Sequence, residues 1–252
     1  MPSDADLDKE HSRVSLDILC EDGPILAVNK PAGLLTLGAV AGVPTLERLV
    51  KQFLREKYEK PGNVYLGIPH RLDRPVSGVI VFARNSKAAA RLAEQFRERQ
   101  VRKIYWALVE RVPDSPAGEL VDWLLKTPDQ AHVEVVSSQA TGAREARLRY
   151  RTLETDVAGG LENRTLLEIE PLTGRTHQIR VQLATRGWPI VGDGQYGATT
   201  SIGSLRAADP RDEPIALHAR SLTIKHPVRY DSLMITARLP EFWGRHQIGA
   251  SK

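Results

Sequence analysis

The chain has 252 residues, 41% of them hydrophobic and 26% charged, a composition that supports a sizeable folded core and excludes global disorder. No run approaches the roughly 18 consecutive apolar residues of a transmembrane helix, and residues 1–22 lack the basic and apolar regions of a secretory leader, so the cytoplasm is the expected compartment. The formal net charge of +4 is uneven: residues 1–22 carry seven acids against two bases, which leaves +9 on residues 23–252, and a pI near 9.2 suits a body that meets a polyanion.

In chain order, residues 1–17 read as an acidic, flexible tail and residues 18–252 as one domain. The lone Cys20 has no internal disulfide partner and reads as a small buried hydrophobe. Ile25–Val28 is a short apolar run that ends at Asn29-Lys30-Pro31-Ala32-Gly33, a strand feeding a loop. Leu46, Leu49, Val50 and Phe53 recur at helical spacing behind Thr45, which predicts an N-capped amphipathic helix. Residues 79–83 predict a buried strand. Asn85-Ser86 then caps a second helix with a stripe of Ala89, Leu92, Ala93 and Phe96, and Ile104–Val109 follows as another strand.

The second half is dominated by strands. Ala146, Leu148 and Tyr150 alternate with Arg147, Arg149 and Arg151, so one face packs and the other is a row of guanidinium groups, either solvated or facing RNA. Residues 165–170 are a further strand, and Gly174 to Gly187 predicts a tight turn and a helix that stops at Gly187. Residues 198–213 read as a surface loop, and strands follow around 215–225 and 233–239. With no repeat and no linker, the expectation is a single α+β domain.

Residues 70–78 read His-Arg-Leu-Asp-Arg-Pro-Val-Ser-Gly and precede a buried strand. A carboxylate between two arginines, Asp73 between Arg71 and Arg74, has its ionised form favoured and remains a nucleophile or base at neutral pH. A surface ion pair on a turn is the alternative.

This segment resembles the catalytic motif of RluA-type pseudouridine synthases, and others match that family in order. Asn29-Lys30-Pro31-Ala32-Gly33 is similar to its first motif, and Arg102 to Val109 to the strand that bears its active-site tyrosine. Pro171 to Val181 is similar to its third motif, while Gly192-Asp193, Tyr196-Gly197, Leu217-His218-Ala219 and His226-Pro227 resemble its closing signatures. The likeness spans roughly residues 18–240. It implies a single pseudouridine-synthase-type domain with a mixed, largely antiparallel sheet, flanking helices and a central cleft. It also implies isomerisation of a uridine in ribosomal or transfer RNA without cofactor, metal or nucleotide. Many relatives carry an N-terminal RNA-binding domain, for which the stretch before Ile18 is too short, and a monomer is expected.

The resemblance assigns catalysis to Asp73, Tyr105 and Arg180, with Arg180 pairing the aspartate and Tyr105 stacking on the uracil. Asp73 can attack the sugar, attack the base or remove a proton to give a glycal, and all three routes stay open. Arg71 fills the gap left by the flipped nucleotide, and Arg175, His177 and the arginine-rich segment 91–102 contact phosphate. Val76 and Gln182 depart from the family's usual threonine and histidine. A non-catalytic RNA-binding protein on the same fold is the competing reading. Gly192 to Gly197 formally fits G-x-G-x-x-G but lacks a following helix. The histidines at 70, 177, 218 and 226 show no helical metal-ligand spacing.

Overall fold

The computed structural model describes residues 16–38, 43–127, 132–155, 164–202 and 213–243. Most of the expected acidic tail and residues 203–212 of the expected surface loop lie outside them. The strands are β1 (Asp17–Asp22), β2 (Ile25–Lys30), β3 (Ser77–Ala83), β4 (Arg102–Val109), β5 (Ala117–Lys126), β6 (Val133–Val136), β7 (Arg144–Thr155), β8 (Thr165–Pro171), β9 (Leu217–Lys225) and β10 (Ser232–Thr236). They form one sheet in the order β1-β2-β3-β9-β4-β8-β7-β5-β6, with β10 paired to β9. All pairings between these strands are antiparallel except β3 with β9. The expected α+β class with a mixed, largely antiparallel sheet is what the chain adopts. β1 begins at Asp17, so that residue, assigned to the tail, is already paired with Asn29.

The helices are α1 (Leu46–Lys57), α2 (Ser86–Arg97) and α3 (Gln178–Thr185). The first two start where the sequence places their caps. Thr45 Oγ1 accepts from the Arg48 N–H at 3.3 Å, and Asn85 Oδ1 accepts from the Ala88 N–H at 2.8 Å, each satisfying a donor that the first turn leaves orphaned.

β2 and β3 read as continuous apolar runs because both of their faces are covered. Leu26, Val28, Ile80 and Phe82 pack with Leu46, Val50 and Leu54 of α1. Their alternates Ile25, Ala27, Val79 and Val81 pack with Ala88 and Leu92 of α2. β7 behaves differently. Ala146, Leu148 and Tyr150 are buried, whereas the arginines between them form cross-strand ion pairs, Arg147 and Arg149 with Glu119 and Arg151 with Glu168 at 2.7 Å. The guanidinium row is therefore a paired outer face.

The one parallel pairing between named strands sets the site. Ser77 and Gly78 pair with His218 and Ala219, and a Cβ on Gly78 would lie 2.6 Å from the Ala219 nitrogen. Only glycine permits this approach and the local φ of +117°. Ser77 Oγ and His218 Nδ1, 2.8 Å apart, fasten the same point. The loop before β3 is thereby brought against the strands that carry the rest of the cleft.

Candidate active site

Residues 70–76 lead into β3, and buried polar groups hold them on the side away from the cleft. Thr36 Oγ1 donates to the Leu72 carbonyl at 2.8 Å and accepts from the Leu72 N–H. Lys30, with no solvent exposure, donates to the carbonyls of Pro31, Leu34 and Arg74 at 2.8, 2.7 and 3.1 Å. Burial brings its pKa down to about 7, although the Asp73 charge acts the other way. Gly33 N–H donates to the Arg74 carbonyl, and Arg74 Nε returns a bond to the Gly33 carbonyl. At the start of the loop, His70 stacks on Phe96 and accepts from the Val81 N–H at 3.0 Å. Burial keeps this imidazole neutral, with its pKa lowered to about 3. Asp73 is thus presented on a fixed loop, with the Val76 N–H closing a turn onto its carbonyl.

The opposite wall is the turn into α3. Gln178 stitches it, accepting from Thr173 Oγ1 and the Arg175 N–H while donating to the Arg147 carbonyl. Two side chains from this wall face Asp73. His177 Nε2 lies 3.8 Å and Arg180 Nη1 lies 4.0 Å from Asp73 Oδ2. Arg180 thus meets Asp73 at ion-pair distance, as expected, while its hydrogen bonds go to Asp193, at 2.6 and 2.7 Å, and to Gln195. The buried carboxylate offers bidentate geometry, which outcompetes the partly exposed one.

Asp73, Tyr105, Arg180, Arg71, Arg175 and His177 all line one cavity of about 840 Å³. Among the described residues, eight lysine and arginine side chains line it against two carboxylates, Asp73 and Glu170. Glu170 is engaged by Arg102 at 3.0 Å, so Asp73 is the carboxylate that faces the space without a full hydrogen-bonded partner. Burial, aided by the Asp73 charge, raises the Tyr105 pKa and keeps its hydroxyl protonated. Burial lowers the Lys103 pKa to about 8, and this ammonium donates to the Thr173 carbonyl at 3.1 Å. Arg97, Arg99 and Arg102 also reach the cavity. Arg91 is turned elsewhere: it donates to the Pro227 carbonyl and lies over the Tyr230 ring.

The described histidines singled out in the sequence do not converge. His70, half-buried, and His218, buried, sit in separate structural pairs, and His226 Nδ1 accepts from the N–H groups of Val228 and Arg229. Gly192 to Gly197 contains a short 3₁₀ turn, Gly194–Tyr196, and no helix opens in the described residues 198–202 that follow it. This segment still matters, because Asp193 and Tyr196 reach Arg180 and His177. Sequence reasoning singled the segment out without assigning those roles. Gln182 is fully buried and donates to Asp122 Oδ2 at 2.7 Å, so its departure from the family pattern falls on the joint between α3 and β5.

Residues 24–185 match the RNA pseudouridylate synthase family. A ribosomal large subunit pseudouridine synthase C of Buchnera aphidicola is 33% identical over 223 residues, covering 88% of this chain and 66% of the relative. A tRNA pseudouridine synthase C of Vibrio parahaemolyticus is 31% identical over 236 residues, covering 91% of this chain and 93% of the relative. The solved structure of human RNA pseudouridylate synthase domain containing 4 superposes with a TM-score of 0.71 at 27% identity, over 94% of this chain and 92% of that one. Sequence match, backbone likeness and the placement of a carboxylate in a basic cleft agree, and the chain belongs to the RNA pseudouridylate synthase family.

Proposed function

We propose that this protein isomerises a uridine in RNA to pseudouridine, with Asp73 as the catalytic carboxylate. The observation that carries the reading is the position of Asp73 in the basic cavity, approached by Arg180 and His177 and shared with Tyr105. The reaction breaks the N1–C1′ bond, turns the detached uracil and joins C5 to C1′; the C5 proton is lost and N1 gains one. No outside atom enters and no oxidation state changes, so the chemistry requires no cofactor. A carboxylate beside the glycosidic bond is what it does require, and Asp73 faces the cavity to supply it.

A stacked uracil is out of reach, so the nucleotide is extruded at a cost of roughly a few kcal/mol. Arg71, exposed at the mouth, fills the vacated position. Tyr105 offers its ring to the base and a hydroxyl that stays protonated. Arg175 and the arginines at 97, 99 and 102 contact phosphates and set the position of the RNA. His177 lies beside the reacting carboxylate, so its place is with the nucleotide that reacts. Among the described residues no helix is long and apolar enough to cross a membrane. The relatives' names concern large-subunit ribosomal RNA and transfer RNA, and we assign these two classes, met in the cytoplasm by a monomer, as substrates.

The test is to incubate the protein with unmodified transcripts of both RNAs and map pseudouridine by carbodiimide labelling. Labelled sites with no free uracil by HPLC support the reading. Release of free uracil would make the protein a hydrolase and overturn it.

A further inference from the structure

Three neighbouring residues, Asp193, Gln195 and Tyr196, grip the two side chains that face Asp73. Asp193, 1% exposed, accepts both hydrogen bonds from Arg180, and Gln195 Oε1 accepts a third at 3.0 Å. The Tyr196 ring lies 4.9 Å from the same guanidinium, and its hydroxyl is 2.8 Å from His177 Nδ1.

The Val133 N–H at the start of β6 donates to Tyr196 Oη at 3.1 Å, which leaves the phenolic hydrogen free to point to His177 Nδ1. With Nδ1 as the acceptor, the ring proton sits on Nε2, the atom 3.8 Å from Asp73 Oδ2. Burial holds the His177 pKa below its usual value, against the pull of Asp73, and so favours the neutral ring. The backbone supplies a separate sign of purpose. His177 has φ +51° and ψ +18°, a left-handed conformation that costs a non-glycine residue about 1 kcal/mol and that the surrounding turn must enforce. His177 and Arg180 make their closest approaches to one and the same oxygen. Both distances are about 1 Å longer than a hydrogen bond.

We propose that His177 is a positioning residue for Asp73: a neutral donor, its tautomer set by Tyr196, that with Arg180 draws Oδ2 into place and turns Oδ1 toward the nucleoside. The proposal rests on the role given to Asp73 above. Val133 brings the β5–β6 hairpin into the same chain of contacts.

Nitrogen-15 NMR of the wild-type protein near neutral pH is expected to show the Nε2–H tautomer at His177. Tyr196→Phe keeps the ring beside Arg180 but removes the phenolic hydrogen. It should mix the two tautomers and slow single-turnover pseudouridine formation on the ribosomal and transfer RNA transcripts roughly tenfold, with KM unchanged. His177→Gln, which retains a donor, should keep more activity than His177→Ala. A wild-type Nδ1–H tautomer or a charged ring overturns the proposal, as does an unchanged rate in Tyr196→Phe. The tautomer measurement needs no substrate, so it decides the hydrogen-bond chain even if the wild-type protein leaves these RNAs unmodified, a result that would overturn the functional reading instead.

Discussion

Lys30 has a long, charged side chain of the kind rarely buried, yet it lies beneath the Asp73 loop with three carbonyls around its ammonium. Removing the donor leaves those carbonyls dry and unpaired, each costing about 1–3 kcal/mol. Lys30→Met, similar in size, is therefore expected to lower the unfolding free energy by roughly 3 kcal/mol or more in urea titrations. A loss below about 1 kcal/mol would show that the ammonium does not hold the loop. Asp73 itself was legible because a carboxylate between two arginines ahead of a buried strand is odd unless it meets an anion. The partners of Arg180 and His177 were not. Nothing in the spacing of Asp193 and Tyr196 shows that the chain folds back to place them beneath residues 13–19 positions earlier.

Among the elements, α1 was readable from its cap and stripe, α2 from its cap, and β2, β3 and β4 from apolar runs; of the expected α2 stripe Ala93 is exposed, and the buried set is Ala88, Leu92 and Gln95. β5 was missed for a physical reason. Its inward set is Leu120, Asp122 and Leu124, and the buried aspartate, satisfied by Arg186 and Gln182, breaks the hydrophobic alternation that marks a strand. β6 has only four residues. β1 carries three acids in six residues and so merges with the acidic tail in composition. The β3–β9 contact depends on Gly78 rather than on any pattern. Gly78→Val, which puts side-chain atoms into the Ala219 backbone at an unsuitable φ, is expected to cost roughly 3–5 kcal/mol. The check is thermal unfolding; a near-wild-type Tm would mean that the two strands can separate at that point without loss.

At the scale of the molecule, the α+β class and the order of motifs were legible, but the strand order was not. β9 comes from the end of the chain and inserts between β3 and β4, a long-range pairing that local periodicity does not encode. The fold also holds His218, buried, and His70, half-buried, in neutral form, which makes stability pH-dependent. Burial lowers the His70 pKa to about 3 and the His218 pKa to about 4, whereas the unfolded values lie near 6.5. Between these limits the unfolded state binds more protons, so stability falls as pH drops below about 6.5. From pH 7 to pH 5 the loss is on the order of 2 kcal/mol for each histidine. Urea midpoints at the two pH values read the effect; equal midpoints would contradict it.

The whole molecule converges on a single oxygen-bearing side chain in a cationic cavity, and the most direct measurement compares Asp73→Asn with wild type on one RNA, scoring pseudouridine and RNA retention in the same sample. The account predicts no detectable pseudouridine from the variant, with RNA binding preserved and weakened by added salt as in wild type. Pseudouridine formed by Asp73→Asn at a rate near that of wild type would contradict it.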